Sequence, residues 1–292
     1  MIVYDLSEDG FCTKQLCDYL GVSPQAYYRW LRKGKPMYRW YDEQLADRIQ
    51  ALFEPEKKGY RFIRDQLIRL DHRWINDKTV LRYMQILGIQ SPIRKKRFQN
   101  CTTSDPNQKA RIVCDNVLAR KFEAMRPLEK LVTDVSYVYH QEGRLYLSVI
   151  KDLFDNSIIA YWVSKFNDNP LVTACLDQIF DEHWNPTHPC ILHSDQGFQY
   201  THRVYIQRLD EAGVTVSHSR KANCYDNACC ENFFSHLKSE SLELNIPKNE
   251  QNLLNAIDAF ILFYNTNRPQ RKLKGMTPLE FREAHLSRML FL

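Results

Sequence analysis

The chain has 292 residues, room for two or three domains, and 44% of them are hydrophobic, enough for a substantial buried core. Its net charge of +5 is mildly basic, which neither demands nor excludes a polyanionic partner. Nine cysteines at irregular spacings, with no Cys-x-x-Cys, exclude a disulfide framework or four-ligand zinc site and point to reduced thiols in a cytoplasmic protein.

The opening residues MIVYDLSEDG lack the basic-then-apolar pattern of a secretory signal. No apolar run reaches the roughly eighteen residues that a membrane span requires. Thr13 to Leu20 carries apolar residues at Leu16, Cys17 and Leu20, a helical spacing. Gly21 closes that helix, and Ser23-Pro24 starts another over Gln25 to Leu31. Helix, short turn, helix is either a DNA-reading helix-turn-helix or an ordinary helical hairpin. In the first case Tyr28 and Arg29 face the nucleic acid. This unit is expected to fill residues 1–36.

A second helical unit is expected over residues 37–92. Asp42 to Leu52 is amphipathic and should stop before Pro55. RFIRDQLIRL follows Gly59-Tyr60, and Asn76 caps DKTVLRYMQILG, which Gly88 ends. Arg82 and Tyr83 either address a DNA groove or serve as a surface cation and a core aromatic. Residues 93–127 read as a basic linker. From Ser91 to Pro127 there are nine Lys or Arg against three acids, including Arg94, Lys95, Lys96 and Arg97. Such a run is either solvated or tracks DNA phosphates.

From Leu128 the pattern changes. Strands are expected over Leu131–Tyr139, Leu145–Ile150 and Ile158–Val163, at hairpin spacing. Pro170 opens a helix through about Trp184. A short strand, Cys190–His193, leads to Asp195. Thr201–Ala212 is helical, Val214–His218 is a fifth strand, and Asp226-Asn227 begins a long helix. This order predicts an α/β fold, a mixed five-stranded sheet with helical crossovers, filling 128–292 together with carboxy-terminal helices.

Three acids then draw attention. Asp134 lies on the first, central strand. Asp195 lies past the carboxyl end of the fourth, where open α/β sheets place ligands. Glu231, with thirty-five residues between it and Asp195, rides the last helix of this series on a face shared with Asn227, Ser235 and Lys238. Three carboxylates brought to one point suit a pair of hard divalent cations, Mg²⁺ or Mn²⁺. Two ions about 3.5–4 Å apart stabilise both the attacking and the leaving oxygen in phosphoryl transfer. Lys238 suits phosphate as a point charge. His193 either supports a ligand carboxylate or is a satisfied core histidine. Asp226 and Asn227 read as helix caps, Asn227 also as a supporting group at the site, and Asp152 as a turn residue. Gly197 gives the backbone room, and Gln196 and Gln199 can reach DNA.

These residues resemble a known family. Thr133-Asp134, HSDQGFQY and DNACCENFFSHLKSE resemble the DDE transposases of bacterial insertion sequences, within the retroviral-integrase-like superfamily. More narrowly, LGVSPQAYYRW, GYRFI and YNTNRPQRKLKGMTPLEF are similar to the second-reading-frame (OrfB) proteins of the IS-three family. The resemblance covers nearly the whole chain. It implies an RNase H-like core preceded by helix-turn-helix units, with Asp134, Asp195 and Glu231 as metal ligands. It also implies Mg²⁺-dependent nicking at terminal inverted repeats, strand transfer into target DNA, and Lys238 holding the DNA end. The partners implied are DNA, a second copy for pairing two ends, and a first-frame (OrfA) protein or fusion, on the bacterial nucleoid. Asn265 and Arg268 fall to helix termination and DNA or core contacts. Leu131, Ala222 and the Cys229-Cys230 pair depart from the family pattern without removing a ligand. A regulator that binds the element without cutting, or a nuclease that only hydrolyses, is the alternative.

Overall fold

The computed structural model describes residues 2–32, 34, 41–93, 112–180, 184, 188–220 and 224–289. Arg94, Lys95, Lys96, Arg97 and Ala222 lie outside these described residues. The amino-terminal unit has three helices: α1 (Ile2–Glu8), α2 (Thr13–Tyr19) and α3 (Pro24–Arg32). The sequence reading missed α1, whose Val3 packs with Cys17 and Tyr27 to form a small core. Gly21, at φ +65°, makes the turn between α2 and α3.

The second unit is α4 (Glu43–Glu56), α5 (Tyr60–Asp71) and α6 (Asp77–Ile86). Asp42 and Asn76 cap α4 and α6 through their side chains, at 3.1 Å from Leu45 N and 2.8 Å from Lys78 N. Helix α4 runs through Pro55 rather than stopping before it, and closes with Lys57 in the left-handed conformation. Ile49, Phe53, Ile63, Leu67, Val80 and Tyr83 form the core. Tyr83 is therefore a core aromatic, its hydroxyl accepting from Asp42 N at 2.8 Å, while Arg82 is exposed.

The third unit holds strands β1 (Lys130–His140), β2 (Gly143–Asp152), β3 (Ile158–Ser164), β4 (Cys190–Ser194) and β5 (Val214–His218). Their order in the sheet is β3-β2-β1-β4-β5, with β1–β2–β3 antiparallel and β4, β5 parallel to β1. This is the mixed five-stranded sheet that the sequence predicts, with β1 at its centre. One face packs under α9 (Ala228–Leu237) and α10 (Glu250–Thr266), around Val132, Leu147, Val149, Phe233 and Ile257. The other packs under α7 (Asn169–Asp177) and α8 (Arg203–Glu211), around Leu131, Ile150, Leu176, Leu192 and Leu209. Leu131, a departure from the family pattern, is thus plain core. Cys12, Cys17, Cys114, Cys175, Cys190, Cys229 and Cys230 are free, and no helix among the described residues is long and apolar enough to cross a membrane.

Two boundaries differ from expectation. Helix α7 ends at Asp177 instead of about Trp184, because the Gln178 side chain turns to bond both backbone groups of Tyr161 on β3, at 3.2 and 2.9 Å. The second half of the expected linker, residues 112–127, is pinned to the core. Cys114 N donates to His218 Nδ1 at 2.9 Å, Leu118 is buried, and Leu118 N donates to Ser217 Oγ at 3.0 Å.

Helix α11 (Pro278–Met289) completes the fold. Its Arg282 bonds the fully buried carboxyls of Asp152, at 2.7 Å, and Asp155. Asp152 also accepts from Leu128 N and Phe154 N, both at 2.9 Å, which is a structural role as expected. Burial and the neighbouring Asp155 still lift its pKa to about 6. Arg282→Met would strand two buried carboxyls, a change expected to cost about 3–5 kcal/mol. An unchanged urea midpoint would contradict this.

Helix α5 docks on the sheet domain. Lys58, almost fully buried, lies 3.1 Å from Glu56 and 3.3 Å from Glu240, over the rings of Phe62 and Phe263. Arg69 pairs with Glu280, and Arg271 pairs with Asp65 and Asp77 at 3.4 and 2.7 Å.

Candidate active site

The last β1–β4 pair is Val132 opposite His193. Two residues further along each strand direction stand Asp134 and Asp195, where the parallel strands part. Residues two apart in a strand share a face. Asp134 therefore follows Val132 toward α9, the helix that carries Glu231 in its first turn. The topology sets Asp134, partway along β1, beside the carboxyl end of β4, with Asp195 just past that end and Glu231 in the first turn of α9.

Their electrostatics record the approach. Burial, then the charge of Asp195 and that of Glu231, raises the Asp134 carboxyl to about 8, although Val135 N donates to it at 2.8 Å. Burial raises Asp195 too, against the Gly197 N–H and the nearby His218. Glu231 is raised by burial and by Asp195. These carboxylates feel one another, as like charges in a shared site must. They stop short of full convergence: among the described residues no three His, Cys, Asp or Glu side chains form a ready metal-holding cluster.

The site is built from short-range bonds. Gly197 N donates to Asp195 Oδ1 at 2.8 Å. A Cβ on Gly197 would sit 2.9 Å from that same oxygen and 3.1 Å from Gln199 Oε1, so any side chain here would displace the Asp195 carboxylate. Asn227 Nδ2 donates to the Thr133 carbonyl at 3.1 Å, tying the start of α9 to the residue before Asp134. Its buried Oδ1 has no hydrogen-bond partner. Lys238 begins a π-helical turn, Lys238–Leu242, so α9 does not continue as the regular helix expected. The Lys238 ammonium donates to Ser136 Oγ at 2.7 Å and lies 4.5 Å from the Tyr137 ring centroid. Burial lowers its pKa against the pull of Asp134.

Several sequence assignments change. The ring nitrogens of His193 lie 2.8 Å from Ser217 Oγ and 3.0 Å from Ser219 Oγ, so it joins β4 to β5 as a satisfied core histidine. Asp226 does not cap the helix. It is clamped by Arg220, Arg120 and Asn116, and the two arginines, Arg220 first, hold its carboxyl well below the usual range. Gln196 is tied to the Ser219 carbonyl at 2.9 Å and Gln199 to Asn167, so both amides are engaged within the protein rather than extended toward DNA. Asn265 bonds both backbone groups of Ile158, at 3.0 and 2.9 Å, and Arg268 bonds Glu240 at 2.8 Å. Tyr28 and Arg29 are exposed on α3. Sequence reasoning missed His218, next to Asp195, and the buried Lys151, which a strand pattern cannot distinguish from a surface lysine.

Burial lowers His193 to about 4, while a histidine in the unfolded chain titrates near 6.5. Between those values the unfolded chain binds a proton that the folded one refuses. Stability from this group is therefore complete above about 6.5 and lost as the pH falls toward about 4. Urea midpoints of His193→Gln should fall less than wild type between neutral and mildly acid pH. Parallel losses in the two proteins would exclude this role.

Comparison with known proteins gives a consistent result. Two family models, each described as integrase core domain, match residues 124–224 and 212–278, and an HTH-like domain model matches 40–97. The chain is 40% identical over 260 residues to the putative transposase InsK for insertion sequence element IS150 of Escherichia coli (strain K12), covering 88% of each chain. It is 31% identical over 272 residues to the insertion element IS600 uncharacterized 31 kDa protein of Shigella sonnei, covering 92% of this chain and 98% of that one. Among solved structures, the HTLV-2 integrase catalytic core domain in complex with magnesium aligns at a TM-score of 0.44 and 16% identity, over 54% of this chain and 98% of that one.

Proposed function

The chain belongs to the insertion-sequence transposases with an integrase core domain, and on that premise we propose that it nicks and joins DNA at an element's ends through Asp134, Asp195 and Glu231. Enzymes with this core are generally metal-dependent polynucleotidyl transferases. One observation carries the finer reading: Asp195 and Glu231 stand close enough to Asp134 that their charges, with its desolvation, raise its carboxyl to about 8. A carboxyl in that position carries its charge comfortably only beside a cation. Three carboxylates, all oxygen donors, fit Mg²⁺ or Mn²⁺ in chemistry, and would hold two such ions. When bound, the ions supply stabilisation of the attacking and leaving oxygens.

The protein's own groups do the rest. Gly197 N–H orients one Asp195 oxygen, and Asn227 fixes the spacing between β1 and α9. Lys238, steadied by Ser136 and Tyr137, offers its ammonium to a DNA phosphate beside Asp134. Tyr28 and Arg29 on α3, Arg82 on α6 and the run Arg94, Lys95, Lys96 and Arg97 contact the terminal inverted repeats and flanking phosphates. Two ends must meet, so the working species on the bacterial nucleoid is at least a dimer, assisted by a first-frame protein.

The test is incubation of the full chain, with and without the first-frame protein, with labelled element-end duplex and Mg²⁺ or Mn²⁺. Nicked and strand-transferred products are expected. Binding without any cut product would leave only a DNA-binding regulator, and nicking without joining only a nuclease.

A further inference from the structure

The motif YNTNRPQRKLKG, residues 264–275, is not used by the reaction described above, yet it forms one wall of a cleft of about 520 Å³. Opposite it, α5 contributes Arg61, Phe62 and Asp65, while α9 contributes Ala228, Cys229 and Asn232. The cations along the cleft are Arg61, Lys151, Arg268, Arg271 and Lys272, against Asp65 as the one lining acid among the described residues.

Their partners separate the structural charges from the available ones. Arg268 is committed to Glu240, and Arg271 to Asp65 and Asp77. The Arg271 pairs fasten α5 and α6 to the segment after α10, while Arg268–Glu240 lies within the sheet domain. Arg61 and Lys272 are exposed. Lys151 is buried and spends its ammonium on two neutral acceptors, the Cys229 carbonyl and the Tyr264 hydroxyl, both at 3.2 Å. An ammonium has three donors and a buried one favours a third, preferably anionic, partner. Gln270, also lining the cleft, has a buried Nε2 with no hydrogen-bond partner. A donor left without a partner inside the protein is able to serve a group from outside it.

We infer that this cleft binds the phosphate backbone of DNA, with the exposed Arg61 and Lys272 as its donors and the buried Lys151 and Gln270 adding favourable charge and polarity from its lining. The inference rests on the DNA-processing reading above and adds a location to it. Residues 231 and 232 point about 100° apart around a helix. Asn232 faces the cleft while Glu231 faces the acid cluster, so a strand in the cleft lies along the flank of the helix that carries the catalytic glutamate. The opposite wall belongs to the HTH-like unit, so DNA here touches both domains at once. The docked arrangement makes the cleft, and occupancy in turn favours docking.

The test separates binding from chemistry. Full-length Asp134→Asn protein in EDTA is titrated into a fluorescein-labelled element-end duplex and a random-sequence duplex, and anisotropy is read across a salt series. Arg61→Glu and Lys272→Glu are introduced singly and together, and Gln270→Glu as a near-isosteric third variant. Each charge reversal should weaken both duplexes about fivefold to tenfold, and the double variant should lower the slope of log affinity against log salt by about 1 to 2. Thermal melts matching the parent would exclude misfolding of these exposed positions. Unchanged affinity and slope in the double variant and in Gln270→Glu would overturn the inference while leaving the transposase reading intact. No duplex binding by the parent protein would overturn both. A cleft that inorganic phosphate stabilises in the parent, with DNA affinity unaffected by all three substitutions, would be a small-anion site and would also overturn it.

Discussion

Asp134→Asn is expected to abolish cutting of element-end DNA, by about 10³-fold or more, while making the metal-free protein more stable. The activity loss follows from removing a ligand from ions that contribute several kcal/mol to the transition state, since about 1.4 kcal/mol is tenfold in rate. The stability gain follows from the pKa. In the folded chain Asp134 is raised to about 8, against an unfolded value near 3.9. Over that window the folded state holds a proton that the unfolded state has released. Stability from this group is therefore present below about 4 and lost as pH rises through about 8. Asparagine has no such dependence. In EDTA at pH 8, Asp134→Asn should melt several degrees above wild type, with the gap closing toward acid pH. Mg²⁺ should raise the melting temperature of wild type and not of the variant, since a ligand stabilises only a state that binds it. Glu231→Gln, on a more exposed carboxylate, should lose activity to a similar degree with a smaller gain in stability. A variant that cuts as well as wild type, or a wild type indifferent to Mg²⁺ in both measurements, would remove the assignment.

The parts of this molecule that were legible in sequence are those set by period and punctuation. Alternation marked β1, β2 and β3, and the short apolar runs before Asp195 and after Gly213 marked β4 and β5. Those runs fix the order of elements, and the order fixes a central β1 with Asp134 at its divergence from β4. What could not be read was decided by partners distant in the chain. His193 looks like a site residue because it lies two positions before Asp195, but Ser217 and Ser219 on another strand occupy both its nitrogens. Asp226 looks like a cap because it precedes a helix, but Arg120 and Arg220 claim it. Helix α9 appears long and regular by spacing, but its geometry widens at Lys238, where the side chain reaches Ser136 across 102 positions of sequence. Residues 112–127 appear unpatterned because they fold against the ends of the sheet through single hydrogen bonds, which have no sequence period.

Gly197→Ala tests how finely the site is set without touching an ionisable group. The glycine's φ is not in the left-handed region, so alanine suffers no backbone strain there; the obstacle is space. The new Cβ would meet Asp195 Oδ1 at 2.9 Å, Gln199 Oε1 at 3.1 Å and Tyr200 Cδ2 at 3.3 Å. Tyr200 is buried in the core under α8, and Gln199 is held by Asn167, so both resist movement. The Asp195 carboxylate is the group with room to move, and it would rotate away from the Gly197 N–H that now holds it at 2.8 Å. Displacing a reacting group by about 1 Å costs on the order of 10²-fold. We therefore expect nicking and strand transfer to fall about 10- to 100-fold. DNA affinity in EDTA should stay at the wild-type value, because this contact serves the chemistry and not the phosphate grip. The melting temperature should change by only a few degrees. Raising Mg²⁺ should recover part of the lost rate, since a misplaced ligand weakens the hold on the ion without deleting it. Full activity in Gly197→Ala would mean that Asp195 tolerates the displacement, and that its carboxylate is not held to a narrow position for catalysis.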